Sequence, residues 1–224
     1  MRMRKKKHLR ERLDKINSYF LVIERDVSNV KKAIEDKKII DLESAFGNNN
    51  PVEIDIGCGK GAFVTALSKN HKDVNYIAVE MMENIILLAG EKAEKEKLTN
   101  LKYINTGAEY LPRYLKEKSI SKIYLNFSPP YPQKSYSNRR LTNMRYLEVY
   151  SKLLTDDGVI YQKTDDKSFF DYSVDNYIKC GYFVEILTSD SADEYVKIIT
   201  EYENKFIKLG MPIYALKATR KTQN

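Results

Sequence analysis

Cysteine, histidine, proline and glycine are all scarce in this chain: its 224 residues include two Cys, two His, six Pro, nine Gly and no Trp. Cys58 and Cys180 stand far apart and form neither a Cys-x-x-Cys pair nor a Cys/His cluster, so no disulfide framework and no metal site is expected. Long apolar runs are missing as well. The first one, Tyr19 to Ile23, is too short for a signal-peptide core or a membrane span. The simplest expectation is a cytoplasmic protein without a membrane partner. Internal repeats and low-complexity segments are also lacking.

What is present suits one globular domain with a sizeable core: 42% of positions are hydrophobic and 31% charged. A net charge of +7 favours an anionic partner. Residues 1–15, with Arg2, Arg4, Lys5, Lys6, Lys7, Arg10 and Arg12, read as a basic, flexible N-terminal arm. Residues 16–224 read as a single domain.

From Asn50 onward, short β-rich runs alternate with helical stretches, the pattern of an α/β fold with a mostly parallel sheet and helices on both faces. Seven strands are predicted: Val52–Ile56, Tyr76–Val79, Leu101–Ile104, Ile123–Phe127, Gly158–Gln162, Phe183–Thr188 and Ile213–Lys217. Apolar spacing places helices over 62–70, 82–97 and 143–154. Another over 168–179 is predicted to be capped by Ser168 and stopped by Gly181, and a last one opens with Thr200 and Glu203 at capping-box spacing and stops at Gly210.

The first predicted strand ends in the run Glu-Ile-Asp-Ile-Gly-Cys-Gly-Lys-Gly, whose glycines follow it directly. Gly57, Gly59 and Gly61 allow a sharp turn and close approach of the backbone to a ligand. The spacing is not that of the dinucleotide fingerprint, and no Gly-Lys-Ser/Thr follows, so a nucleoside ligand without a pyrophosphate fits better. Glu80, ending the second predicted strand, stands where a ribose-binding acid belongs. Asp55, beside the glycines, is placed to meet the cationic amino end of a cofactor such as S-adenosylmethionine. Together these residues point to a Rossmann-like, class I methyltransferase fold.

The fourth predicted strand runs into Ser-Pro-Pro-Tyr-Pro at the carboxyl edge of the sheet, where open α/β folds bind ligands. Pro129 and Pro130 remove two donors and leave carbonyl acceptors beside the Ser128 hydroxyl and the Tyr131 ring, a set suited to gripping a nucleobase. Lys134, Tyr136, Arg139 and Arg140 follow, cationic and aromatic as in nucleic-acid contacts.

With these motifs in place, nearly the whole chain resembles the tRNA (guanine-N7-)-methyltransferase family. The shared blocks are Met-Arg-Met-Arg-Lys at the start, 50–63, 75–80, 124–142, Gln-Lys-Thr-Asp-Asp at 162–166, and 198–214 with its Thr-Glu-Tyr-Glu. The resemblance implies methyl transfer from S-adenosylmethionine, leaving S-adenosylhomocysteine, to guanine N7 in the variable loop of tRNA. It implies cofactor contacts from Asp55, Gly57, Glu80 and the Gly107–Ala108 step, and substrate contacts from Ser135 to Arg140, Asp165, and Thr200, Glu201, Tyr202 and Glu203. The family reads Phe-Ser-Asp-Pro-Trp-Pro-Lys where this chain has Pro129 at the aspartate, Tyr131 at the tryptophan and Gln133 at the lysine, and Gly107 replaces a family acid. Ser128 and the Pro129 carbonyl are expected to hold the base instead. Two other readings are an exocyclic-amine methyltransferase using the Ser-Pro-Pro-Tyr loop and an RNA-binding relative without transfer. Monomer and homodimer both stay open.

Overall fold

The computed structural model of the protein describes residues 6–23 and 29–220. One sheet runs through it, built from β1 (Phe20–Ile23), β2 (Val52–Ile56), β3 (Asn75–Val79), β4 (Leu101–Asn105), β5 (Ile120–Asn126), β6 (Leu154–Thr164), β7 (Tyr182–Leu187) and β8 (Tyr214–Arg220). The order is β1-β4-β3-β2-β5-β6-β8-β7. Pairing is parallel from β1 through β6, while β8 runs antiparallel between β6 and β7. The helices are α1 (Leu9–Lys15), α2 (Val30–Glu35), α3 (Leu42–Phe46), α4 (Ala62–Asn70), α5 (Glu83–Lys95), α6 (Leu111–Tyr114), α7 (Met144–Leu153), α8 (Lys167–Lys179), α9 (Glu194–Lys197) and α10 (Glu201–Lys208).

Both central strands, β2 and β3, are buried at every position, as expected of parallel strands covered on both faces. Ile54, Ile56 and Ile77 pack with Leu147, Leu153 and Tyr177 of α7 and α8 on one face. Tyr76, Ala78 and Tyr103 pack with Phe63, Val64, Ile86 and Ala89 of α4 and α5 on the other. Strand alternation therefore turns Asp55 toward the α4 and α5 side. From β2 the chain moves to β3 and β4 on one side, and β5 returns to the other edge of β2. That reversal opens a crevice at the carboxyl ends of β2 and β5.

The seven-strand expectation falls one short. The eighth strand is β1, which pairs in parallel with β4; four half-buried residues at a sheet edge carry too little pattern to declare themselves. The N-terminal segment is also better packed than its charge suggests. Leu9, Leu13 and Ile16 are buried against Leu87 of α5, and Arg12 donates from Nε and Nη2 to the two carboxylate oxygens of Glu91, 2.7 Å each. Basic residues conceal an apolar stripe at helical spacing, so α1 packs within the segment expected to be an arm. Residues 1–5 of that arm lie outside the described residues.

The cap of α8 is Asp166, whose Oδ1 accepts from Phe169 N at 2.8 Å, in place of the expected Ser168, which is exposed. The carboxylate reaches a free N–H of the first turn from just outside the helix. The capping box at Thr200 and Glu203 is present.

Candidate functional site

Gly57, Gly59 and Gly61 take φ of +78°, +56° and +73°, values that side-chain-bearing residues adopt only under strain. Gly57 N and Cys58 N both donate to Val79 O, at 2.8 and 3.0 Å, which ties the loop to the end of β3. A Cβ on Gly61 would lie 2.9 Å from Ala89 Cβ, so this glycine serves the packing of α4 on α5. Gly57 and Gly59 instead line a cavity of about 520 Å³, together with Asp55, Cys58, Lys60, Phe63, Ile85, Asn126, Phe127, Thr200 and Tyr202.

Asp55 is 2% exposed, and its Oδ1 has no hydrogen-bond partner among the described residues. Burial, and then the neighbouring Glu80 carboxylate, push its pKa up to about 7. Glu80 sits at the end of β3, holding Met82 N on Oε1 at 2.9 Å, while its backbone carbonyl accepts from Asn105. Burial raises the Cys58 thiol well above its usual range, so it stays protonated.

The loop after β5 forms the next wall. Phe127 N donates to Lys163 O at 2.8 Å, and the residue takes a left-handed φ of +49°. The Phe127 ring lies 4.9 Å from that of Tyr202 at the start of α10. Buried Asn126 Nδ2 and Ser128 Oγ have no partner among the described residues, whereas Asn126 Oδ1 accepts from Tyr195 OH at 2.6 Å. Pro129 is exposed and Tyr131 half-buried. Arg140, expected to face RNA, points inward at 9% exposure. Its neighbour Arg139 is exposed and stacks over Tyr136 at 4.6 Å. Gln133, Lys134 and Ser135 are exposed beside them.

Thr200 and Tyr202 reach the cavity from α10. Glu203 does not: it is 4% exposed, and its carboxylate oxygens meet Lys163 Nζ at 3.0 and 3.2 Å. That lysine also donates to Ile198 O and lies 4.8 Å from the Tyr195 ring. Burial lowers the Lys163 pKa, an effect Glu203 opposes. Asp165 is half-buried; after burial, it is the group that raises the Tyr202 phenol. The Glu201 side chain lies outside the described ones.

Gly107 and Ala108 lie past β4 and are not among the residues lining that cavity. A Cβ on Gly107 would meet Glu109 Oε2 at 2.6 Å, so a carboxylate occupies the space where an acid at position 107 would begin. Sequence reading did not pick out Glu109, Asn126, Phe127, Lys163 or Tyr195. Phe127 and Asn126 were legible only as the end of a strand, and Lys163 and Tyr195 meet through contacts between distant segments. Among the described residues no group of three His, Cys, Asp or Glu is placed to hold a metal ion, and no helix is long and apolar enough to cross a membrane.

Residues 49–216 match a family model described as "Putative methyltransferase". A tRNA (guanine-N(7)-)-methyltransferase of Listeria innocua is 39% identical over 178 residues, covering 79% of this chain and 83% of that protein. One of Clostridioides difficile is 35% identical over 223 residues, covering 99% and 100%. Among solved structures, 16S rRNA methyltransferase KamB superposes with a TM-score of 0.57 at 13% identity, covering 89% of this chain and 95% of that one. At that identity the likeness speaks to the fold alone.

Proposed function

The chain belongs to the tRNA (guanine-N(7)-)-methyltransferase family, and from that premise we propose that the cavity at the β2/β5 switch point is where its methyl transfer takes place. The protein is an S-adenosylmethionine-dependent enzyme that methylates guanine N7 in tRNA. The observation that carries the placement is a set of buried polar atoms without partners among the described residues, Asp55 Oδ1, Asn126 Nδ2 and Ser128 Oγ, at or beside one cavity whose floor is a glycine turn.

Those residues fit the cofactor. Asp55 would take its cationic amino group, because a buried carboxylate lacking a partner gains most from a cation. Glu80 would take the ribose hydroxyls, and the backbone of Gly57 and Gly59 allows close approach. Glu109 would serve as the acid that Gly107 lacks. When bound, the cofactor supplies an electrophilic methyl group on a sulfonium.

Guanine N7 has a lone pair and no proton, so no general base is required of this chain. Its task is alignment, which can be worth several kcal/mol of barrier. Phe127 and Tyr202 offer aromatic faces at the cavity for the base. Asn126 Nδ2 offers a donor to guanine O6, and Ser128 Oγ with the Pro129 carbonyl offers acceptors to the N1–H and N2–H₂ edge. The Tyr136–Arg139 stack and Lys134 would contact the RNA backbone. The target is a variable-loop guanine, and the enzyme works in the cytoplasm with its tRNA.

Labelled methyl transfer to unmodified tRNA, followed by borohydride and aniline cleavage, tests this reading. Scission at a variable-loop guanine is the expected result. Methylation without scission would favour attack by an exocyclic amine, and binding without transfer a non-catalytic relative. Ser128→Ala should lower kcat by roughly threefold to tenfold, the worth of one neutral hydrogen bond; unchanged turnover would remove Ser128 from the base grip.

A further inference from the structure

A loop made of Ser128, Pro129, Pro130, Tyr131 and Pro132 has few ways to hold itself in place. Three of its five residues lack a backbone N–H. A left-handed kink at Phe127, φ +49°, leads into it, and a second, at Tyr131, φ +41°, lies within it. Such a backbone persists only where its surroundings over-determine it. The group that does so here is Arg140. Its Nε donates to Pro130 O at 2.8 Å and its Nη2 to Tyr131 O at 3.0 Å, and its guanidinium lies 4.2 Å from the Tyr172 ring on α8. Tyr172 OH in turn accepts from Asn143 Nδ2 at 2.9 Å. Among the described residues no carboxylate pairs with Arg140, so this buried cation is satisfied by two loop carbonyls and one aromatic face.

We propose that Arg140 is a positioning residue for methyl transfer: its two-pronged grip on the Pro130 and Tyr131 carbonyls, backed by Tyr172, sets the loop that presents Ser128 and the Pro129 carbonyl to the base. The inference rests on the placement of the reaction at this loop. A planar guanidinium can serve two adjacent carbonyls from one rigid fork, whereas an ammonium is a single point of charge on a flexible stem. Arg140 thus acts inside the protein, and Arg139, stacked on exposed Tyr136, is the member of the pair turned toward RNA. With the Pro130 and Tyr131 carbonyls turned to Arg140, Ser128 Oγ and the Pro129 carbonyl are the acceptors this reading assigns to the base.

Steady-state kinetics on tRNA at several salt concentrations, with melting curves alongside, test this on the full chain. Arg140→Lys is expected to lower kcat by about tenfold or more, since small misplacements of reacting groups are costly. The KM for tRNA should stay within about threefold, because backbone contacts to the RNA are kept. Arg140→Gln, which removes the charge, should leave the slope of affinity against salt unchanged. Arg139→Gln is the reference for an RNA contact: its loss should fall on KM and flatten that slope by about one unit. If Arg140→Gln flattens that slope and raises KM as Arg139→Gln does, Arg140 is a phosphate contact and the proposal fails. Tyr172→Leu, which removes the shelf and leaves the arginine, decides the matter if Arg140→Lys melts early. A fall in kcat at constant KM supports the grip, and an unchanged kcat overturns it. Wild-type protein that yields no 7-methylguanosine would defeat the functional reading itself, a result distinct from an active wild type whose Arg140 variant behaves as an RNA contact.

Discussion

Asp55→Ala is expected to weaken S-adenosylmethionine binding by about 30-fold to several thousandfold, because removing one partner of a buried charged contact costs about 2–5 kcal/mol. The side chain lies at the floor of the cavity, almost wholly buried, with Oδ1 free to meet a cation. Its environment also gives the binding a pH signature. In the free protein, burial and the Glu80 charge hold the carboxyl at about 7, far above an ordinary aspartate. A cationic ligand binds the ionised form better, so binding below that pKa must expel a proton. Cofactor affinity should therefore rise as pH increases from about 5 to 7 and level off above it. Titration calorimetry in two buffers of different ionisation heat would detect the released proton near pH 6. Asp55→Asn, which cannot titrate, should bind weakly and without that dependence. A wild-type affinity that is flat across this range would remove Asp55 from the cofactor contact.

The second large effect falls on stability. Lys163 and Glu203 form an ion pair with side chains 2% and 5% exposed, joining the end of β6 to the first turn of α10. Lys163→Met leaves a carboxylate buried without its cation, which costs about 3–5 kcal/mol. For a domain of this size that corresponds to a fall in Tm of about 6–20 °C. Cofactor affinity should fall as well, since Thr200 and Tyr202 line the cavity from the same turn. Replacing both partners, Lys163→Met with Glu203→Leu, should recover much of the stability, because apolar groups of similar volume substitute for buried ion pairs at little cost. The recovery stays incomplete: Glu203 is also the capping-box acid, whose Oε2 reaches back to Thr200 N at 3.4 Å, and caps contribute about 1 kcal/mol. Thermal melts of the two variants check this, and a single variant as stable as wild type would show that the pair contributes nothing.

The arm and Arg140 illustrate where composition misleads. A run of Lys and Arg reads as solvated, yet Leu9, Leu13 and Ile16, at helical spacing, bury one stripe against α5 and leave the charges outside. Conversely, two adjacent arginines read alike, but opposite side-chain directions send Arg139 to solvent and Arg140 under the loop. Glu203 reads as a ligand contact or a cap, and its burial against Lys163 depends on a residue 40 positions away.

What the sequence alone determined is the part governed by local rules. Alternating short apolar runs and amphipathic stretches dictate the α/β class. Three glycines after a strand dictate the ligand turn, with φ positive at each, and Thr200 with Glu203 dictates a helix start. Prolines dictate a stiff loop at the end of β5. Tertiary structure decided everything that needs two distant segments to meet: the edge strand β1 beside β4, the aromatic pair Phe127–Tyr202, and the partners of Lys163 and Arg140. The physical reason is that backbone propensity, turns and caps are satisfied within a few residues, whereas buried charges and orphaned polar atoms find their partners only when the sheet order brings the strand ends together.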